Sequence, residues 1–191
     1  MKTLVIVAHP NLEQSVVNKR LLEEIKQYPD TYKIHDLHAV YPDGRIDVKR
    51  EQQLIESYDQ IVFQFPIYWF SFPSLLKKWM DEVLTYNWAY GRKNGYKLSE
   101  KKVAVAVTAG IDEKSSTGNY SLEQLTKPFE MTFDYIKASY KGLFAVYGVN
   151  SNAVVSSDGS FAIERTVDAT TLAYVDARVG DYLAFLEQAM E

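Results

Sequence analysis

An α/β architecture, a doubly wound parallel five-stranded sheet with helices on both faces, follows from three features of this 191-residue chain. Continuous apolar runs recur at Thr3–Ala8, Ile61–Phe65, Val103–Thr108 and Leu143–Val149. Unbroken rather than alternating hydrophobicity is what a strand covered on both faces requires. Segments with a helical apolar period lie between these runs, so parallel βαβ units are the economical arrangement. The first three runs also stop at turn-forming or small residues, which opens loops at one edge of the sheet.

Taken in order, Thr3–Ala8 is the first strand and His9–Ser15 a polar turn. Val17, Leu21, Leu22 and Ile25 mark a helix with Ser15 as its N-cap. Tyr32–Leu37 reads as a short second strand, His38–Asp47 as a loop around Pro42-Asp43-Gly44, and Val48–Ser57 as a polar helix. Strand Ile61–Phe65 leads into an aromatic loop and a helix from Pro73 to Leu84, the proline falling in the first turn where its missing N–H costs nothing. Tyr86–Tyr96 is a long loop with four aromatics. Strand Val103–Thr108 is followed by a polar loop, Ile111–Asn119, and a helical region from Ser121 to Ser139. Leu143–Val149 reads as another central strand, and the tail from Glu164 carries Leu172, Val175, Val179, Leu183 and Leu186 on one helical stripe. No internal repeat, low-complexity tract or linker interrupts the chain, so residues 1–191 read as a single domain.

Composition narrows the function. Hydrophobic residues make up 47% and charged residues 24%, ordinary for a globular protein. A net charge of −4 and scattered lysines give no electrostatic footprint for nucleic acid or an anionic membrane. The absence of cysteine excludes disulfides, thiol catalysis, iron–sulfur clusters and cysteine-based zinc sites. Three histidines without a His-x-x-x-His pairing give no expectation of a metal, and His35 and His38 read as a strand end running onto the surface. With neither a signal peptide nor an apolar run approaching membrane-spanning length, the expectation is a cytoplasmic protein without membrane insertion.

Right-handed crossovers bring three loops to one sheet edge: His9–Ser15, Pro66–Ser71 and Thr108–Asn119. Ligands of doubly wound sheets bind there. Neither Gly-x-Gly-x-x-Gly nor a P-loop follows the first strand, so a dinucleotide fold or nucleotide-phosphate loop is unsupported. The first loop offers His9, Ser15 and Asn18 at a helix N-terminus, whose N–H groups and dipole suit an anion. A phosphate there would favour the charged form of His9. The bland alternative is a capping serine and a turn histidine. In the second loop, Tyr68-Trp69-Phe70 offers ring surface where connections are normally polar. An aromatic cluster beside a phosphate site suits a flat phosphorylated ligand such as flavin mononucleotide, the alternatives being a dimer contact or a core plug. Thr108-Ala109-Gly110 supplies a third wall, glycine permitting close backbone approach. No serine triad or paired carboxylates stand out, which fits a protein whose cofactor carries the chemistry.

Val7-Ala8-His9-Pro10, Ser15-x-x-Asn18-Lys19, Phe65-Pro66-Ile67-Tyr68-Trp69-Phe70-Ser71-Phe72-Pro73-x-Leu75-Leu76-Lys77-x-Trp79-x-Asp81-x-Val83 and Trp88-Ala89-Tyr90-Gly91 together resemble the flavodoxin-like NAD(P)H quinone oxidoreductases. The likeness is to their short bacterial members, which include the ancillary flavoprotein of the glutathione-gated potassium efflux system. It runs from residue 3 to about 150. The resemblance implies a flavodoxin-like fold and FMN, with FAD as the alternative. His9, Ser15, Val16, Val17 and Asn18 would hold its phosphate and ribityl end. Pro66, Ile67, Tyr68, Trp69 and Phe70 would line the isoalloxazine, partly through backbone N–H groups, and Thr108, Ala109, Gly110 and Ile111 would close its pyrimidine side. It further implies NAD(P)H as donor, a quinone-like small-molecule acceptor reached by two-electron ping-pong transfer, and a homodimer in which Tyr86–Tyr96 surrounds the partner's site. Where the family usually has Thr-Thr-Gly-Gly, this chain has Thr108-Ala109-Gly110-Ile111, and Ile111–Asn119 lacks the tyrosine or histidine that relatives direct at a quinone. Two other readings stand beside the enzyme: a regulatory subunit docking to a membrane transporter, and a one-electron carrier, for which the charge is weak.

Overall fold

A computed structural model describes residues 2–92, 95–111, 121–149, 153–155, 161–163 and 168–190. The main sheet is built from β1 (Thr3–Val7), β2 (Tyr32–Asp36), β3 (Gln60–Pro66), β4 (Lys102–Thr108) and β5 (Ser139–Val146). Its order is β2-β1-β3-β4-β5 and every neighbouring pair is parallel. The helices are α1 (Val16–Ile25), α2 (Leu37–Val40), α3 (Val48–Glu56), α4 (Ser74–Val83), α5 (Leu122–Tyr135) and α6 (Ala169–Met190). From β1 the chain winds outward to β2, then returns to β3 and winds the other way through β4 to β5. The carboxyl ends of β1 and β3 are therefore the switch point of the sheet.

The pleat divides each apolar run between two cores. Leu4, Ile6, Phe63, Phe65, Val103 and Val105 face α3, α4 and α5, meeting Ile55, Leu76, Trp79, Phe129 and Phe133. Val5, Val7, Val62, Ala104 and Ala106 face α1 and α6, meeting Leu21, Leu22, Ile25, Val175, Val179, Tyr182 and Leu186. Phe63 packs edge-on to Trp79 at 5.6 Å and stacks on Phe133 at 5.5 Å. Such pairs add to the area term that burial already contributes.

Boundaries differ from expectation where side chains cap or stop an element. The Asp36 carboxylate accepts the N–H groups of His38 and Ala39, so a one-turn helix, α2, occupies the start of the expected loop. Lys137 adopts φ 63° and ends α5 at Tyr135. Strand β5 consequently begins at Ser139, four residues before the apolar run, and it is an edge strand rather than the central one its apolar composition suggested. An antiparallel pair, β6 (Ala153–Val155) with β7 (Phe161–Ile163), is a feature the sequence did not suggest. Most of the Ile111–Asn119 loop and residue Glu164 lie outside the described residues. On α6 the buried stripe is Val175, Val179, Tyr182, Leu186 and Ala189, with Leu172 exposed. In the Tyr86–Tyr96 loop, Trp88 and Ala89 are buried in this chain's own core, and Trp88 Nε1 donates to Glu56 at 2.6 Å. Gly91 is required there: its φ is 106° and the Tyr86 ring occupies the place of a Cβ. Among the described residues no helix is long and apolar enough to cross a membrane.

His35 is not on the surface. It is buried, with Nε2 2.9 Å from Glu51 Oε2. Glu51 is wholly buried and also accepts from the Tyr41 hydroxyl at 2.6 Å and Trp79 Nε1 at 2.8 Å. Burial pushes the Glu51 carboxyl up, but the hydrogen bonds from His35, Tyr41 and Trp79 outweigh it and hold the group below the usual carboxylate range. A depressed folded-state value means that its stabilisation is complete above the unfolded value of about 4.5 and is lost as pH falls through the folded value. Glu51→Leu leaves three buried donors without an acceptor and is expected to cost about 3–5 kcal/mol in urea unfolding at pH 7. The difference from wild type should shrink below pH 4.5; a constant difference down to the acid transition would show that the carboxylate charge contributes nothing.

Candidate functional site

Four chain segments meet beyond the carboxyl ends of β1, β3, β4 and β5, around a cleft of about 280 Å³. The first is the turn after β1. A single 3₁₀ turn, Leu12–Gln14, aims the chain into α1, and Ser15 Oγ accepts the Asn18 N–H at 3.1 Å. The Val16 and Val17 amides have no intrahelical acceptor, because the first turn of any helix lacks an i−4 carbonyl. They line the cleft wall. His9 is buried, and its Nδ1 accepts the Asn11 N–H at 3.1 Å. A ring nitrogen that accepts carries no proton, so this contact assigns the Nδ1 of His9 to the acceptor role.

The second segment follows β3. Ile67 N–H donates to Thr108 O at 2.8 Å, extending the β3–β4 pairing by one bond. Tyr68 and Ser71 then exchange backbone hydrogen bonds, Tyr68 N–H to Ser71 O at 2.8 Å and Ser71 N–H to Tyr68 O at 2.9 Å. The two residues between them, Trp69 and Phe70, have φ 47° and 59°. This is a two-residue turn of the type that normally takes Asn-Gly, since both central residues are left-handed. Placing two bulky aromatics there costs about 1–2 kcal/mol per residue. The result is a Trp69 side chain that is 92% exposed, with Phe70 and Tyr68 also exposed.

The third segment is Thr108-Ala109-Gly110. Ala109 N–H donates to Val146 O at 2.9 Å, and Thr108 Oγ1 accepts from Asn18 Nδ2 at 2.9 Å. This second bond joins the helix N-terminus to the end of β4. The fourth contribution is Val149, beyond β5.

Of the residues expected at the site, His9, Ser15, Val16, Val17, Asn18, Pro66, Ile67, Tyr68, Thr108, Ala109 and Gly110 line this one cleft. Trp69 and Phe70 stand at its rim on the strained turn and are not part of its wall. Ile111 packs against the core on the α4–α5 side of the sheet, its carbonyl accepting the Gly148 N–H at 3.0 Å. Pro10, Asn11, Gln14 and Val149 line the cleft without having been singled out. The first three share the polar turn with His9 and were legible as its neighbours. Val149 carries no chemical signal in the sequence. Among the described residues no Lys or Arg lines the cleft, and the donors they present are backbone amides, neutral side chains and one helix terminus.

A flavodoxin-like fold family model matches residues 1–167. The uncharacterized NAD(P)H oxidoreductase YrkL of Bacillus subtilis is 44% identical over 172 residues, 88% of this chain and 97% of that protein. The glutathione-regulated potassium-efflux system ancillary protein KefG of Cronobacter sakazakii is 41% identical over 135 residues, 69% of this chain and 72% of that protein. The crystal structure of the general stress protein 14 of Treponema denticola in complex with FMN superimposes with a TM-score of 0.84 at 39% identity, covering 99% of each chain. Sheet order, the switch-point cleft and sequence likeness over the whole sheet agree, and the chain belongs to the flavodoxin-like fold family.

Proposed function

We propose that this chain is an FMN-dependent NAD(P)H oxidoreductase that passes hydride equivalents from NAD(P)H to a quinone-like acceptor in two successive two-electron half-reactions. The observation that carries the reading is the cleft itself: a helix N-terminus, a buried histidine and an aromatic turn around one opening at the switch point. The residues present fit FMN. A phosphate needs hydrogen-bond donors rather than a fixed cation, and the Val16 and Val17 amides with the Ser15 hydroxyl would supply them, the Ser15 and Asn18 N–H groups being taken by Leu12 O and Ser15 Oγ. A flavin ring needs a flat apolar rim and main-chain hydrogen bonds. Tyr68, Trp69 and Phe70 give the rim. Among the described residues the N–H groups of Trp69, Phe70, Gly110 and Ile111 have no main-chain acceptor, whereas those of Ile67, Tyr68 and Ala109 are used within the chain.

Bound FMN would supply the two-electron chemistry, and the protein supplies binding and orientation. Ser15 and Asn18 hold the first turn of α1 open toward the cleft, and Thr108 and Gly110 set the opposite wall. The exposed rings of Trp69, Phe70, Tyr86 and Tyr135 leave an aromatic rim that we read as the contact of a homodimer. A second reading, a flavin-binding regulatory subunit docking to a cation transporter, is favoured by the likeness to KefG and by the same exposed rim.

Two measurements decide between these readings. In an anaerobic absorbance titration of the FMN-loaded protein, NADPH or NADH should bleach the flavin band within seconds, and benzoquinone should restore it. A bound flavin that neither nucleotide reduces would favour the regulatory subunit. Trp69→Gly removes the left-handed strain together with the ring. Unfolding stability should stay level or rise by up to about 1 kcal/mol while the FMN dissociation constant rises about tenfold. Unchanged FMN affinity in the folded variant would remove Trp69 from the site.

A further inference from the structure

A line of four side chains runs from α6 to the wall of the cleft. The Tyr182 hydroxyl lies 2.8 Å from Gln64 Oε1. Gln64 Nε2 lies 3.2 Å from Asn18 Oδ1 and 3.3 Å from the Asn18 main-chain oxygen. Asn18 Nδ2 lies 2.9 Å from Thr108 Oγ1. Tyr182, Gln64 and Asn18 are all buried, and Thr108 lines the cleft.

The direction of these bonds is not free. A main-chain carbonyl only accepts, so the end of Gln64 that faces Asn18 O must be its NH₂. Its carbonyl then faces Tyr182, which must donate. The same NH₂ requires the oxygen of the Asn18 side chain, so the Asn18 NH₂ faces Thr108, and Thr108 Oγ1 accepts. Accepting from Asn18 occupies one lone pair of Thr108 Oγ1, which leaves its O–H and a second lone pair; toward an acceptor in the cleft it is the O–H that can bond. Burial holds the Tyr182 phenol far above its ordinary value, so it stays a donor throughout the range in which the protein folds.

We propose that Tyr182, remote from the cleft, is a positioning residue for FMN: through Gln64 and Asn18 it fixes the Thr108 hydroxyl as a hydrogen-bond donor into the cleft. The proposal rests on the FMN reading above. Each bond in a buried chain polarises the next, so losing the first donor weakens the last. A purely structural Tyr182 would tie α6 to β3 and would have no particular dependence on residue 108.

The test is a double-mutant cycle on FMN affinity, read by fluorescence titration of the apo-protein, with thermal unfolding measured alongside. Tyr182→Phe is expected to weaken FMN binding about three- to tenfold, the scale of one hydrogen bond. In the Thr108→Val background, where no hydroxyl is left to orient, Tyr182→Phe should change the affinity by less than about 1.5-fold. The loss should return in the Thr108→Ser background, which restores the O–H. Independent, multiplying effects of Tyr182→Phe and Thr108→Val, or an unaltered affinity in folded Tyr182→Phe, would overturn the relay while leaving the cofactor reading in place. Wild-type protein that binds no FMN overturns both. If Tyr182→Phe does not fold, 3-fluorotyrosine placed at position 182, a stronger donor, should tighten FMN binding in the wild-type background and not in Thr108→Val. No tightening in the wild-type background would equally overturn the relay.

Discussion

A primary amide in the middle strand of a five-stranded parallel sheet is the constraint on which the site depends. Gln64 is 1% exposed, and an amide buried without partners costs several kcal/mol. Its strand neighbours are saturated by the sheet ladder, so the side chain must take its partners from helices. It takes them from both helices on its face: the Asn18 carbonyl and side chain on α1, and the Tyr182 hydroxyl on α6. The packing of α1 and α6 on the sheet is thereby fixed by polar bonds as well as by volume. At the other end of the same two strands, Thr3 Oγ1 donates to Gln60 Oε1 at 2.7 Å. Strand β3 is therefore tied by side-chain bonds at both ends, to β1 at one and to α1 and α6 at the other, and the helix terminus that walls the cleft is held with it.

A second cost is concentrated at the rim. Trp69 and Phe70 hold backbone angles that bulky residues rarely adopt, and such strain persists only where surrounding bonds determine it. Here the paired Tyr68–Ser71 bonds and the Ile67–Thr108 bond close the turn. On its far side Phe72 anchors the chain, packed edge-on to Phe129 at 4.7 Å and to Phe65 at 6.3 Å. Pro73 then forces an extended entry into α4. The turn is thus pinned at both ends and left bare at its tip. That is an arrangement for presenting ring surface and backbone donors, since a turn selected for stability alone would carry Asn-Gly.

The legible part of this structure was what local pattern determines. Strands β1, β3 and β4 are covered on both faces, so their composition alone announced them. Ser15 was readable as a cap because it precedes an apolar helical stripe. The three converging loops followed from handedness. What escaped notice depends on distant partners or on a residue acting out of type. Gln64 looks like a polar interruption of an apolar run, and its partners lie 46 and 118 positions away. Glu51 sits in a helix that reads as solvated, and His35 beside it reads as a strand end. Only the approach of Tyr41 and Trp79 makes that carboxylate a core residue. Lys137 stops α5 in a conformation for which glycine is the usual signal, so the edge strand β5 began unannounced.

Glu51 and Gln64, both buried, lie on opposite faces of the sheet, and their charge states differ in a way that suits the cleft. Glu51 is ionisable and sits with its histidine on the α3–α4 side, behind the aromatic layer of Phe63 and Trp79. Gln64, on the α1–α6 side, belongs to a chain of neutral amides and hydroxyls that ends at the cleft. A glutamate at position 64 would have nearly the same shape. It would, however, place a carboxylate beside the Asn18 carbonyl, where no donor could face that oxygen, and set a negative charge behind an anion-binding helix terminus. Keeping this network neutral leaves the local field of the cleft to the backbone dipoles of α1 and its loops. Among the described residues no lysine or arginine lines the cleft, and those dipoles are what its described wall contributes. Glu51, on α3, therefore lies across the β-sheet from the neutral network that ends at the cleft.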